Sequence, residues 1–355
     1  MFKAYKYRLY PTKEQSELLD KHFNACRFAY NLALETKTRA FKEYGINFSA
    51  FDLQKQLTEL KKENQWLYEV DNNSLQKAIV NMDNAYKAFF RGGGYPKFKS
   101  KHSAFNSFAS SQGKNIKIIG SYISVTKFRD GIKAKITRPL VGDMRQATIS
   151  KTATGKYFIS ILCETGIAIP EKKPILQDTA VGIDLGIKTF AVLSNGEETA
   201  NPKHLIASTK RLKVLQRRLS KKKIDSANQN KARQKVAQIH EKIANQRKDF
   251  LHKLSTNLIN NHDTICLEDL NIKGMIRNHN LARAISDASW SEFNRQLEYK
   301  SEWGGKSIIR IGRFEPSSKT CNVCGLINNS LKLSHRKWIC ECGEVHDRDW
   351  NAAIN

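Results

Sequence analysis

The stretch Cys321-Asn322-Val323-Cys324, answered by Cys340-Glu341-Cys342 and then by His346-Asp347-Arg348-Asp349-Trp350-Asn351, sets the reading of this 355-residue chain. Two cysteine pairs around a fifteen-residue spacer have the spacing of a structural zinc ribbon, in which four thiolates, Cys321, Cys324, Cys340 and Cys342, close a tetrahedral site. The second pair is tight, with only Glu341 between its thiols, and leaves open a three-cysteine site completed by His335 or His346. The acidic motif that follows at once suggests that the ribbon delivers a carboxylate to a site built elsewhere, a nuclease-like arrangement. Only six residues follow Asp349, so a helix there is marginal unless it packs.

Working outward, two apolar runs end in carboxylates. Ala180-Val181-Gly182-Ile183-Asp184 opens a domain, Phe190-Ala191-Val192-Leu193 returns beside it, and Asn195-Gly196 predicts a two-residue hairpin turn. Ile265-Cys266-Leu267-Glu268 repeats the pattern. With the acids of Asp347-Arg348-Asp349, three element ends far apart in sequence each present a carboxylate. Mg2+ prefers oxygen ligands, and two such ions roughly 3.5–4 Å apart can clamp a phosphodiester. An acid at one strand end is more often a turn or cap residue; the joint placement is what favours a metal site.

Upstream, Phe2, Ala4, Tyr5 and Tyr7 alternate with Lys3, Lys6 and Arg8 as a strand that Pro11 ends, and Thr12 and Gln15 form a capping box. Leu19, Phe23, Cys26, Tyr30 and Ala33 then recur at helical spacing. Leu53, Leu57 and Leu60 make a second face, and Leu75, Ile79, Met82, Tyr86 and Phe89 a third, which predicts a small helical bundle over residues 12–90. Gly92-Gly93-Gly94-Tyr95-Pro96 breaks the pattern. Alternation of Ile132, Ala134 and Ile136, and the run Tyr157 to Leu162, make 95–165 an all-β unit that strand 1–10 joins, with a linker at 166–177.

Lysine and arginine number 60 against 34 acids, a net charge of +26, which points to a polyanionic partner, nucleic acid first. Eight basic residues and no acid lie between positions 210 and 223, on a helix whose apolar face is Leu212, Leu215 and Leu219. Lys210, Arg211, Arg217, Arg218 and Lys221 are candidates for a phosphate backbone. A second helix carries Val236, Ile239, Ile243, Phe250 and Leu254. No apolar run is long enough to span a membrane, the start lacks a signal-peptide pattern, and Cys26, Cys163 and Cys266 sit singly in apolar surroundings; a cytoplasmic protein is expected. Gly304-Gly305-Lys306-Ser307 is not a phosphate-binding loop, because Lys300 stands where the first glycine is required. Trp290, Phe293 and Leu297 read as core.

Gly182-Ile183-Asp184-Leu185-Gly186, Leu267-Glu268-Asp269-Leu270, Pro316-Ser317-Ser318-Lys319-Thr320-Cys321 and Asp347-Arg348-Asp349-Trp350-Asn351-Ala352-Ala353 resemble the signature motifs of the TnpB (OrfB-type) proteins of insertion sequences, relatives of the type V CRISPR effectors. Arg8-Leu9-Tyr10-Pro11-Thr12 and Gly94-Tyr95-Pro96-Lys97-Phe98-Lys99 extend the resemblance over nearly the whole chain. It implies a multidomain α+β and α/β fold. A wedge β-barrel (1–10 and 95–170) would hold an inserted helical recognition domain (11–94). A RuvC-like nuclease domain of RNase H fold (178–316 and 346–355, with a basic helical pair at 205–260) would hold a zinc ribbon (317–345).

The same resemblance implies an RNA-guided DNA endonuclease with a transposon-derived guide RNA and a target DNA as partners. It implies structural Zn2+ on the cysteines and catalytic Mg2+ on Asp184, Glu268 and Asp349. Asp347 is then a helix cap, and Arg348 a phosphate or structural contact. It also implies that Asn72 and Gln76, with Phe48 and Ser110, read a short target-adjacent motif; Asn and Gln suit adenine. A monomer is expected. The alternatives are a nuclease-inactive RNA-guided DNA-binding repressor and a plain zinc-ribbon DNA-binding factor, the second of which leaves the strand-end acids unexplained.

Overall fold

The computed structural model describes residues 1–101, 106–110, 113–332 and 334–355, in two compact units, Met1–Ile167 and Ala168–Asn355. In the first unit, β1 (Phe2–Tyr10) alternates as predicted, with Tyr5, Tyr7 and Leu9 buried. The helix α1 (Lys13–Tyr44) starts at the Thr12–Gln15 capping box and stops at Gly45, whose φ of 66° is cheap only for glycine. A second capping box, Ser49–Asp52, opens α2 (Ala50–Glu63), and Asp71 caps α3 (Asn72–Phe90). Six strands follow: β2 (Asn106–Ser110), β3 (Lys117–Ile119), β4 (Tyr122–Val125), β5 (Phe128–Lys135), β6 (Asp143–Lys151) and β7 (Tyr157–Glu164).

These strands and β1 form one antiparallel sheet in the order β2-β6-β7-β1-β5-β4-β3. The N-terminal strand is thus central, paired with β7 and β5 on either side. Among the described residues no ladder joins β2 to β3. The helical faces do not close a core of their own. Leu19, Phe23, Leu57, Leu75 and Met82 share one continuous core with Tyr7, Leu9, Ile123, Ile132 and Ile161 of the sheet.

The second unit is built on β8 (Ala180–Leu185), β9 (Thr189–Leu193) and β10 (Glu198–Ala200), then the helices α4 (His204–Ser220) and α5 (Ala227–Asn261). After them come β11 (Thr264–Glu268), α6 (Ile272–Met275), α7 (His279–Ala288), α8 (Trp290–Gly304) and β12 (Ser307–Ile311). The cysteine ribbon carries β13 (Lys337–Ile339) and β14 (Val345–Asp347), and α9 (Arg348–Ile354) ends the chain. The sheet order is β10-β9-β8-β11-β12: β8 and β9 are antiparallel, whereas β11 runs parallel to both β8 and β12.

The β9–β10 turn corrects the expected two-residue hairpin. Leu193 donates its N–H to Glu197 and accepts one from Gly196, and only Gly196, at φ 88°, takes a positive φ. A two-residue type I′ turn would need both central residues there. Trp290, Phe293 and Leu297 are core, packed with Val181, Ile183, Phe190 and Leu267 under the sheet. Leu212, Ile239 and Ile243 form a separate small core, so α4 and the first half of α5 make a helical arm. Asp287 of α7 holds its base: both carboxylate oxygens accept from the Leu205 N–H, at 3.1 and 3.0 Å, and one pairs with Arg247 at 2.9 Å. Among the described residues no helix is long and apolar enough to cross a membrane.

Candidate active site, metal centre and nucleic-acid interface

Sheet register brings two of the three acids together. Ile183 of β8 pairs with Leu267 of the parallel β11, so Asp184 and Glu268, one residue on in each strand, stand side by side on one face. Glycine at 182, two residues before Asp184 and so on the same face, lets α9 approach: a Cβ there would lie 1.9 Å from the Ala353 carbonyl oxygen. The seven-residue α9 is therefore packed, with Asn351, Ala352 and Ala353 buried and Trp350 Nε1 donating to Ser194 O at 3.1 Å.

On α9 the two aspartates divide their work. Asp347 is the cap, accepting from the N–H groups of Asp349 and Trp350 at 3.1 and 3.2 Å. Asp349 pairs with Arg348 at 2.6 Å and Arg336 at 2.9 Å, and its charge reaches Asp184. Burial first, then the charges of Asp349 and Glu268, raise the Asp184 carboxyl to about 7 against the opposing pull of Arg348 and Arg336. Glu268 accepts a 2.6 Å hydrogen bond from Ser317 Oγ. A half-buried carboxyl crowded by two more suits a cation, which would relieve both desolvation and repulsion.

The ribbon is a tighter group. The four thiol sulfurs all lie within 4.8 Å of one another, with Cys321 and Cys342 at 3.8 Å and Cys324 and Cys340 at 3.5 Å. A tetrahedron with Zn–S bonds of about 2.3 Å has edges of about 3.8 Å, so the four cysteines could hold zinc. His346 is buried against Trp338 with Nε2 3.1 Å from Cys321 Sγ, the place of a hydrogen-bonding neighbour of the thiolate. His335 is exposed, bonded to the Lys332 N–H. Among the described residues, this is the sole group of three or more potential ligands so tightly gathered; the three acids are not drawn together to that degree.

Of the basic candidates, Arg211 and Arg218 line a groove of about 820 Å³ between α4 and α5, whereas Lys210, Arg217 and Lys221 are exposed outside its lining. Sequence reasoning missed the opposing row, Lys231, Lys235 and Lys242 of α5, whose spacing of four and seven marks one helical face. Lys222 joins the first row, and no acid lines the groove. Over residues 204–247 thirteen lysines and arginines face only Asp225 and Glu241, a large share of the chain's +26.

In the first unit Asn72 and Gln76 lie one turn apart on α3, where Asn72 Oδ1 accepts from Lys61 Nζ at 3.1 Å. Phe48 packs against the core, and Ser110 is buried at the end of β2.

The second unit is thus an α/β unit with strand-end acids and a cysteine ribbon feeding its last helix. Family models agree: residues 161–279 match "Probable transposase" of the OrfB type, 290–355 match "Cas12f1-like, TNB domain", and 1–45 match "Helix-turn-helix domain". The last of these spans β1 and the whole of the unbroken α1. A Streptomyces pristinaespiralis protein named "Putative RNA-guided DNA endonuclease" is 40% identical over 99% of this chain and 88% of its own length. The similarly named InsQ of Escherichia coli (strain K12) is 30% identical over 99% of this chain and 90% of its own length. The chain belongs to the TnpB family. Its fold is similar to that of the Cas12f1 chain in a Cas12f1-sgRNA-target DNA complex, with a TM-score of 0.61 at 14% identity over 97% of this chain and 82% of that one.

Proposed function

We propose that this protein is an RNA-guided DNA endonuclease that cleaves target DNA at a site made by Asp184, Glu268 and Asp349. The observation that carries the reading is the half-buried Asp184 carboxyl, raised to about 7 by desolvation and by the other two acids. A structural role alone gives no reason to crowd three carboxylates at the ends of β8 and β11 and the start of α9. Divalent cations such as Mg2+, held by these acids, would supply Lewis acidity and an activated water at a phosphodiester. Arg336 and Arg348 hold Asp349 at the edge of the site and bring positive charge to an approaching phosphate.

The remaining parts take roles to match. The first unit serves as the recognition and wedge portion, in which Asn72 and Gln76 read a short motif next to the target. The arm of α4 and α5 holds a nucleic-acid backbone, and the ribbon carries structural zinc. The partners are a guide RNA from the transposon end and a target DNA, met inside a prokaryotic cell by a monomer. The sequence identity to relatives named as RNA-guided DNA endonucleases supports this reading.

The test is cleavage by the purified protein loaded with RNA from its own locus. Asp184→Ala should abolish strand scission while leaving target binding intact. Cleavage retained at wild-type rate would refute the assignment.

A further inference from the structure

The segment Pro316–Asn322, which leads into the first cysteine pair, touches one acid of the candidate site and the helix that carries another. Ser317 is buried and its Oγ donates to Glu268 Oε1 at 2.6 Å. The Ser317 carbonyl accepts from Asn351 Nδ2 at 3.3 Å, and the Thr320 carbonyl from the same nitrogen at 2.7 Å. Asn351 Oδ1 in turn accepts from the N–H of Asn322, the residue after the ligand Cys321, at 3.1 Å. Asn351 is 1% exposed and lies two residues after Asp349 on α9. Asn355 Nδ2 repeats the grip one turn later, at 2.7 Å from both carbonyls.

These bonds are more than a ribbon needs to fold around its ion. A single buried side chain uses both ends of its amide to bind the ribbon's entry to the helix that carries Asp349, while a hydroxyl in the same segment is spent on Glu268. Glu268 ends β11, and Asp349, paired with Arg336 and Arg348, sits in the first turn of a seven-residue helix. Hydrogen bonds from outside the ligand set orient carboxylates and strengthen metal binding.

We propose that the segment 316–322 is the positioning element of the acid site, with Ser317 the positioning residue for Glu268 and Asn351 that for Asp349. The ribbon then does more than stabilise its own loop: its folded state is transmitted to two carboxylates. This rests on the reading of Asp184, Glu268 and Asp349 as a divalent-cation site.

The experiment is Mn2+ titration of the zinc-loaded full chain, free of nucleic acid, followed by the electron paramagnetic resonance signal of unbound Mn2+. Zinc content is measured in every sample, and Asp184→Ala defines the binding that belongs to the acids. Ser317→Ala should keep its zinc and lose on the order of tenfold in Asp184-dependent Mn2+ affinity, and Ser317→Thr, which keeps the hydroxyl, should restore most of it. Unchanged Mn2+ affinity in Ser317→Ala overturns the proposal, as does loss of zinc together with manganese, which would make Ser317 a structural residue only. Absence of any Asp184-dependent Mn2+ binding in the unaltered protein would instead remove the cation site itself, and the positioning role with it.

Discussion

Ser317 and Glu268 are 49 residues apart in sequence and 2.6 Å apart in space, joined by a hydroxyl-to-carboxylate hydrogen bond. One end of that bond belongs to the segment that enters the cysteine ribbon, the other to a sheet strand. Ribbon and acid site are therefore one mechanical unit, and changes in one should be read in the other.

Gly182→Ala tests how closely α9 must sit on the sheet. The new methyl would meet the Ala353 carbonyl at 1.9 Å, a backbone atom that cannot swing away. The helix should shift outward at a cost of about 1–3 kcal/mol, seen as a lower midpoint in thermal denaturation. Cleavage should fall with it, since Asp349 moves with α9. Unchanged stability and activity would show that α9 does not depend on this contact.

Asp184→Asn should stabilise the cation-free protein above neutral pH. An acid whose folded value is raised to about 7 contributes fully while it is protonated in both states, below its ordinary value of 3.8. That contribution is lost as pH rises to the folded value, because the unfolded chain releases its proton first. At pH 8 the amide should gain on the order of 4 kcal/mol, measured by urea denaturation with a chelator present. Divalent cations should narrow the difference by stabilising only the unaltered protein.

The arm predicts a salt effect. Each neutralised phosphate of a single strand contributes about 0.7 to the slope of log affinity against log salt. Replacing Lys231, Lys235 and Lys242 with alanine should flatten that slope by about 2, measured by anisotropy with a labelled single-stranded RNA. The unbroken apolar core of the arm should leave its helicity unchanged, and an unaltered slope would take these lysines out of the interface.

His22 predicts an acid-side loss of stability. Its ring is fully buried, stacked 4.8 Å from Phe108, with Nδ1 2.8 Å from the Leu18 carbonyl and Nε2 accepting from the Asp71 N–H at 3.0 Å. Burial holds its pKa below the usual 6.5, against a pull upward from the Leu18 carbonyl and Asp71, with Lys127 adding to the lowering. The unfolded chain therefore binds the proton first. Stability is complete above about pH 6.5 and falls as pH drops toward the depressed folded value. His22→Gln should flatten that dependence in denaturation midpoints between pH 5 and pH 7; an unchanged profile would assign the loss to other groups.

By itself the sequence determined the local pieces. The capping box at Thr12, the helical faces of Leu19 and Leu75, the strands that carry Asp184 and Glu268 near their ends, and the cysteine spacing are all set by neighbours within a few residues. Only the tertiary structure decided which pieces share a core and which side chains meet. The helices of the first unit pack on one another and share one continuous core with the sheet. Lys231, Lys235 and Lys242 become one wall of a groove only when α5 folds back on α4. Ser317 and Asn351 fall within motifs the sequence offers, but which groups they bond is not written in their neighbours, since serine and asparagine suit any loop or cap. Their partners are set by parallel strand register and by the close approach that Gly182 permits, both of which depend on contacts across the chain.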